Sequence, residues 1–149
     1  MIKKFLIINL FLFSFFLTNS YSDNNTYMSL KNNKVNVRYG PGLDYPIKFV
    51  FNKKNYPVEI IDQKENFRKI LDFKKNSGWI HRSQLKKSSS FITLDTVILF
   101  SDSTKFSRPI AKIESGRLLN KKKCNLNWCR VETGEYKGWV LKENLWGLN

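Results

Sequence analysis

Apolar and polar residues alternate with a period of two along most of this chain, and turn-forming residues interrupt the alternation every few positions. This pattern predicts many short β-strands. In the first half, strands are predicted at 27–30, 34–38, 47–51, 57–62, 67–73 and 78–81. After "KKSSS" (86–90) the series starts again, with strands predicted at 91–94, 97–100, 111–113, 117–122, 129–133 and 138–141. Two small all-β barrels in tandem explain the pattern with the fewest assumptions.

An internal repeat supports this division. "GWIHRSQL" (78–85) returns as "GWVLKENL" (138–145), so Trp79 and Trp139 lie sixty positions apart. Upstream, "FRKI" (67–70) aligns with "WCRV" (128–131). An aromatic and an aliphatic residue three apart in a strand face opposite sides unless a bulge intervenes. We therefore expect Ile70 and Val131 to be buried and Phe67 and Trp128 to face another surface, as ligand platforms or as packing residues, with Trp79 in the barrel core.

The N-terminus has the pattern of a secretory signal peptide. "MIKK" supplies two lysines, thirteen apolar-rich residues follow (5–17), and small residues stand at Ser20 and Ser22. Because a membrane span needs about 20 apolar residues, we predict a cleaved signal peptide at 1–22, with an uncleaved anchor as the alternative. The protein is therefore expected to be periplasmic or otherwise secreted, and to contact the membrane only transiently through this peptide.

The two cysteines, Cys124 and Cys129, lie in "KKKCNLNWCRV". With a single histidine in the whole chain, they do not make a zinc-ligand set, and no metal is predicted. In an oxidising compartment a disulfide across a tight hairpin is the favoured interpretation. The alternative is a pair of reduced cysteines in the barrel wall.

The stretch "VNVRYGPGLDYPI" (35–47) combines an alternating strand with a glycine-rich turn. Val35 and Val37 are expected to face the core, and Asn36 and Arg38 to face outwards. Pro41 and Gly42 suit the two central positions of a type II turn, where glycine tolerates a positive φ. No helix or lysine follows the glycines, so this is not a phosphate-binding loop.

Together these motifs resemble the bacterial Src-homology-3-like domain. In the first half they are "VNVRYGPGLDYPI", "NFRKI" and "GWIHRSQL"; in the second, "NWCRV", "GWVLKENL" and the terminal "LWG". The resemblance implies a strongly bent barrel of five to six strands in each half, at 26–86 and 91–149 with a linker at 87–90, and a non-catalytic role in envelope binding or targeting. Phe67 stands where the family usually has tryptophan, and the second copy lacks the Gly-Pro-Gly turn.

Charge and side-chain inventory restrict the function further. The formal charge is +14, which favours polyanionic partners. If the protein adheres to polyanions through its net charge, added salt should abolish the binding. The same lysines are also typical of solvated loops. Export argues against a nucleic-acid partner. The one histidine lies in a different repeat from the cysteines, and the acidic residues form no evident pair, so we predict no enzymatic activity and no cofactor.

We therefore expect an exported, non-enzymatic binding module that recognises a peptidoglycan peptide or an envelope protein through an aromatic surface of the first barrel. Tyr and Trp offer flat contact area with a polar tip, and extended ligands suit shallow grooves. The alternative is a structural or regulatory accessory protein of the cell envelope with no ligand groove of its own, in which Trp146 covers a protein surface. The predicted ligand-binding residues are Tyr39, Tyr45 and Phe67 as platform and Arg38, Asp44 and His81 as polar rim.

Overall fold

The computed structural model describes residues 26–149, which form fourteen β-strands and two three-residue 3₁₀ helices. The predicted signal peptide lies outside the described residues. Within residues 26–149, no helix is both long enough and apolar enough to cross a membrane. The strands of the first half are β1 (Thr26–Leu30), β2 (Val35–Arg38), β3 (Ile47–Phe51), β4 (Pro57–Lys64), β5 (Phe67–Leu71), β6 (Ser77–His81) and β7 (Leu85–Lys87), and a 3₁₀ helix at Arg82–Gln84 precedes β7.

The second half repeats this order of elements. Its strands are β8 (Ser90–Thr93), β9 (Val97–Phe100), β10 (Pro109–Ile113), β11 (Leu118–Cys124), β12 (Trp128–Thr133), β13 (Tyr136–Leu141) and β14 (Leu145–Trp146), with a 3₁₀ helix at Lys142–Asn144. All twelve predicted strands exist. The sequence pattern missed both short final strands, β7 and β14, because a strand of two or three residues is too short to show an alternation.

Each half is one antiparallel sheet of seven strands, more than the five to six that the resemblance implies, because the short strands β7 and β14 are added to the six predicted in each half. The first has the order β3-β2-β6-β5-β4-β1-β7, and the second has the matching order β10-β9-β13-β12-β11-β8-β14. The long strands β4 and β11 each carry an irregularity, between Ile60 and Asp62 and between Lys121 and Lys123. Bulges bend a strand, so each sheet can curl around its own core as the Src-homology-3-like resemblance implies.

The inward-facing residues of each sheet form a separate apolar core. In the first barrel Val35 and Val37 are buried while Asn36 is exposed, which confirms the predicted alternation of β2. Burying an aliphatic side chain of this size contributes about 1.5–3 kcal/mol. The first core comprises Leu30, Val35, Val37, Val58, Ile70, Ile80 and Leu85; the second comprises Phe91, Val97, Leu99, Ile113, Leu119, Cys129, Val131, Val140 and Leu145.

Cys124 and Cys129 form a disulfide, which confirms the favoured interpretation. The two residues are directly opposite each other at the end of the β11–β12 ladder, with their Cα atoms 4.0 Å apart. The hairpin turn between them is fixed by Asn125, whose side-chain oxygen accepts the backbone N–H of Trp128 at 2.8 Å. The disulfide therefore clips one hairpin of the second barrel.

A polar contact joins the barrels beside the segment that links β7 to β8. The hydroxyls of Ser29 and Ser90 are 3.1 Å apart and buried, and the backbone N–H of Ser89 donates to Ser29 Oγ at 3.0 Å. Ser90 Oγ also donates to the carbonyl of Asn55, and the Asn55 side chain donates to Asn120 Oδ1 at 3.0 Å. These bonds satisfy several of the polar groups that the contact removes from water; within residues 26–149, Asn55 Oδ1 and Ser89 Oγ are buried there without a hydrogen-bond partner.

The C-terminal residues complete the contact between the barrels. Trp146 packs edge-on against Tyr27, with ring centroids 5.1 Å apart, and against Phe73 at 5.7 Å. The side chain of Asn149 makes two hydrogen bonds to the backbone of Tyr27: its Oδ1 accepts from the Tyr27 N–H at 2.6 Å, and its Nδ2 donates to the Tyr27 carbonyl at 3.0 Å. The second barrel therefore ends on the surface of the first.

Candidate functional site

A groove of about 410 Å³ crosses the outer surface of the first barrel beside the loop between β2 and β3. Three of the six predicted ligand-binding residues, Arg38, Phe67 and His81, line it together. They come from β2, β5 and the end of β6, which are neighbours in the sheet. The remaining lining residues are Lys34, Asn36, Leu43 and Gln84.

Phe67 forms the apolar floor of this groove. The β5–β6 ladder runs without a bulge, pairing Phe67 with His81 and Ile70 with Gly78. Phe67 and Ile70 therefore face opposite sides of the sheet, as predicted, and Ile70 enters the core. Only 7% of Phe67 is exposed, because the surrounding side chains cover it, including the His81 ring edge-on at 5.2 Å. A ligand would touch Phe67 only at the bottom of the groove.

His81 is oriented by the 3₁₀ helix that follows it. Its Nδ1 accepts the backbone N–H of Ser83 at 3.3 Å and lies 2.7 Å from the Ser83 hydroxyl. A ring nitrogen that accepts from a backbone N–H carries no proton itself, so the neutral ring has its proton on Nε2. This tautomer gives the groove an N–H donor.

The loop from Tyr39 to Pro46 forms one side of the groove, and Tyr45 holds it together. Arg38 Nη1 donates to the carbonyl of Tyr45 at 2.7 Å. The Tyr45 ring covers Gly40 so closely that a Cβ there would lie 2.2 Å from the ring. The predicted type II turn is wrong, because Gly42 does not have a positive φ. Glycine is needed at position 40 to make room for the Tyr45 ring.

Tyr39 and Asp44 lie on the same loop but do not line the groove. Tyr39 is 63% exposed, and Lys48 Nζ lies 5.6 Å from the centre of its ring. Asp44 is exposed, and its Oδ1 is close to the Gly42 backbone. Tyr39, Asp44 and Tyr45 therefore form a lip beside the groove, separate from its floor.

Trp79, Lys34 and Asn36 lie on the outer side of the first barrel, in positions that the sequence analysis did not assign to them. Trp79 does not belong to the core; Gly78 and Ile80 face inwards, so the alternation of β6 turns Trp79 outwards, where it is half-buried. Lys34 and Asn36 were missed as groove residues. The signal was present, because a period of two from Arg38 places 36 and 34 on the same outer side.

The second barrel has a groove of about 530 Å³ at the equivalent place, over Trp128. Trp128 is paired with Leu141, as Phe67 is paired with His81, and packs edge-on against Phe100 at 5.9 Å. The rim contains Leu126, which is 86% exposed, and Phe106, which is fully exposed. This groove therefore has more apolar side chains than the first, although Lys105, Lys142 and Glu143 also line it.

A larger cavity, of about 680 Å³, lies between Lys53 of the first barrel and the second barrel. Its charged lining is mixed, with Glu114 and Glu135 beside Lys112 and Arg117. None of the six predicted ligand-binding residues reaches it. Among residues 26–149, no three His, Cys, Asp or Glu side chains are grouped as metal ligands would be, and both cysteines are consumed by the disulfide.

Two small antiparallel barrels, each closed by a short strand after a 3₁₀ turn, define a tandem Src-homology-3-like protein. The family model described as the bacterial SH3 domain matches residues 31–87 and again residues 95–147. The chain therefore belongs to the bacterial SH3 domain family, which consists of small binding domains, and contains two copies.

Among solved structures, the chain is similar to NlpC2 from Trichomonas vaginalis, with 16% identity and a TM-score of 0.38 over 82% of this chain and 48% of that one. It is also similar to NlpC1 from the same organism, with 16% identity and a TM-score of 0.38 over 85% and 47%. This chain thus spans about half the length of either structure. A comparison with curated proteins gave no match.

Proposed function

We propose that the protein is an exported, non-enzymatic binding module of the cell envelope whose first barrel holds an extended peptide in the groove over Phe67. The observation that carries this proposal is that Arg38, Phe67 and His81, from three different strands, line one groove. An apolar floor with polar groups at the rim is the usual composition of a binding site for a small ligand or peptide segment.

The charge of the groove favours a ligand that carries carboxylates. Lys34 and Arg38 supply two cations, His81 supplies an N–H donor, and no acidic side chain of residues 26–149 lines the groove. Arginine binds carboxylates well because its donors match their geometry. Stem peptides of peptidoglycan combine free carboxylates with small apolar side chains, so they are the first candidate, and an acidic segment of an envelope protein is the second.

The envelope location rests on two independent features. Residues 1–22 have the pattern of a signal peptide. The Cys124–Cys129 disulfide suits an oxidising compartment outside the cytoplasm. The basic groove and the extracytoplasmic location together match the anionic, peptide-bearing surface of a cell wall.

The test is co-sedimentation of the processed protein with isolated sacculi. Lys34→Glu reverses a rim charge, and Leu43→Ser removes the apolar side chain that is 72% exposed at the groove. Each is expected to weaken sedimentation at least tenfold. Lys74→Glu, on the same barrel but outside the groove, makes the same charge change and should have little effect. The proposal is wrong if the wild type neither sediments nor crosslinks to an envelope protein.

A second candidate function is favoured by the contact between the barrels. Trp146, Tyr27 and Phe73 pack together, so the two barrels form one unit that could serve as an accessory subunit of an envelope complex. Trp146→Ala discriminates between an internal role and a partner-binding role. Loss of stability with partner capture intact indicates internal packing; loss of capture at unchanged stability indicates that Trp146 belongs to a partner interface.

A further inference from the structure

A shallow depression on the second barrel is lined by four side chains, and all four are cations. It has a volume of about 340 Å³ and is lined by Lys122, Lys123, Arg130 and Lys137. These residues come from β11, β12 and β13, three neighbouring strands of one sheet. A cluster of this kind concentrates part of the net positive charge on one side of one barrel.

The register of the strands holds two of these cations directly opposite each other. Lys123 is paired with Arg130 across the β11–β12 ladder, and Arg130 is paired with Trp139 on β13. Like charges in this position oppose strand pairing. The Lys123 ammonium lies 5.4 Å from the centre of the Trp139 ring, which partly offsets the repulsion. An arrangement that works against folding is often retained for binding.

In the part of the chain that the structure describes, one carboxylate forms ion pairs with the cluster, and its single negative charge does not neutralise the four cations. Glu132 Oε2 lies 2.5 Å from Lys122 Nζ, and Glu132 Oε1 lies 3.7 Å from Lys137 Nζ. The hydrogen bond from Lys122 is the main cause that lowers the pKa of Glu132 below its ordinary value, so this group stays ionised. Four cations against one carboxylate leave a surplus of positive charge on this side.

Exposed apolar side chains lie on the same side of the barrel. Along β12, Trp128, Arg130 and Glu132 face the same way because side chains alternate. Beside Trp128, Phe106 is fully exposed and Leu126 is 86% exposed. Cations next to exposed apolar tips are typical of proteins that lie on anionic lipid surfaces, where the tips enter the interface and the cations meet the phosphates.

We propose that this side of the second barrel binds an anionic membrane surface, with Lys122, Lys123, Arg130 and Lys137 contacting lipid phosphates and with Phe106 and Leu126 entering the interface. A soluble phosphate-bearing polymer would need the cations but would leave both apolar tips in water. The sequence predicts membrane contact only through the signal peptide. The surface of the second barrel adds a second contact, which persists after the signal peptide is removed.

The test is co-sedimentation of the processed full chain with vesicles of phosphatidylcholine containing 30% phosphatidylglycerol. Lys123→Gln with Arg130→Gln removes two charges from the depression. Lys54→Gln with Lys74→Gln removes two charges from exposed positions of the first barrel and serves as the control. At about fivefold per basic residue near an anionic surface, the first pair should weaken binding at least tenfold and the control pair less than threefold.

Phe106→Ser with Leu126→Ser should also weaken vesicle binding about tenfold while leaving the thermal midpoint unchanged, because both side chains are solvent-exposed. The proposal is overturned if the wild type does not bind these vesicles, if both charge pairs weaken binding equally, or if the apolar pair has no effect. It is also overturned if soluble polyphosphate binds as tightly as the vesicles do. Pure phosphatidylcholine vesicles should not bind.

Discussion

Replacing Trp146 by alanine tests whether the two barrels fold as one unit. The ring makes edge-on contacts with Tyr27 and Phe73, at centroid distances of 5.1 and 5.7 Å, and such pairs contribute about 0.5–1.5 kcal/mol each. Truncation of a fully buried tryptophan costs about 3–5 kcal/mol, and Trp146 is half-buried. We therefore expect a loss of about 2–3 kcal/mol in the free energy that couples the two barrels.

Scanning calorimetry is the appropriate assay because it counts the cooperative transitions. The wild type is expected to unfold in one transition and Trp146→Ala in two, since the substitution weakens the contact between the barrels and leaves each core intact. Trp79→Ala is the matched control: it removes a half-buried tryptophan that lies on the outside of the first barrel only, and it should keep a single transition. Two transitions in the wild type would refute the reasoning, as would a single transition in Trp146→Ala.

Three further outcomes follow from the structure. Replacing both Cys124 and Cys129 by alanine should cost at least about 2 kcal/mol, the entropy of closing so short a loop, because Cys129 also packs in the apolar core; denaturant unfolding measures this loss, and a variant as stable as the wild type would contradict the prediction. Asp72→Ala should cost about 1–3 kcal/mol, because the buried carboxylate accepts two bonds from Asn76, at 2.7 and 2.9 Å; Asp72→Asn, which keeps one acceptor, should cost less. Burial, and to a smaller extent the charge of Asp72, raises the pKa of Tyr56 to about 12. The folded state therefore holds the phenol proton more tightly than the unfolded state, and this contribution to the free energy of unfolding is complete below about pH 10 and is lost between about pH 10 and 12. The free energy of unfolding of Tyr56→Phe should fall less steeply over that range.

The alternation of side chains predicts twelve of the fourteen strands in residues 26–149 and the buried faces of both repeats. Val35, Val37, Ile70 and Val131 are buried as the period of two required. For Trp79, residue type and position in the strand lead to different predictions. A tryptophan in the closing strand suggests a core residue, but Gly78 and Ile80 already occupy the inward positions of β6. The alternation of β6 alone places Trp79 on the outer side.

Other features depend on contacts that no local pattern contains. The close approach of the Tyr45 ring to Gly40 arises from the path of a whole loop, so the glycines suggested a turn type that does not occur. The cationic depression depends on the irregularity between Lys121 and Lys123, which sets Lys123 opposite Arg130. The sequence predicts a strand at 117–122, but it does not indicate that Lys122 and Lys123 meet Arg130 and Lys137 on one side of the sheet.

The two grooves have diverged at equivalent positions, and this difference bears on how the protein works. Arg38 and Phe100 occupy the same place, since each is paired with the tryptophan of its closing Gly-Trp strand. His81 and Leu141 likewise correspond, because each is paired with the aromatic floor residue of its groove. At these two positions the second barrel has apolar side chains, Leu141 in the groove and Phe100 beside its floor residue Trp128, where the first barrel has an arginine and an imidazole. A carboxylate held by the first groove would find no partner at these positions in the second, so the two barrels are expected to bind chemically different surfaces.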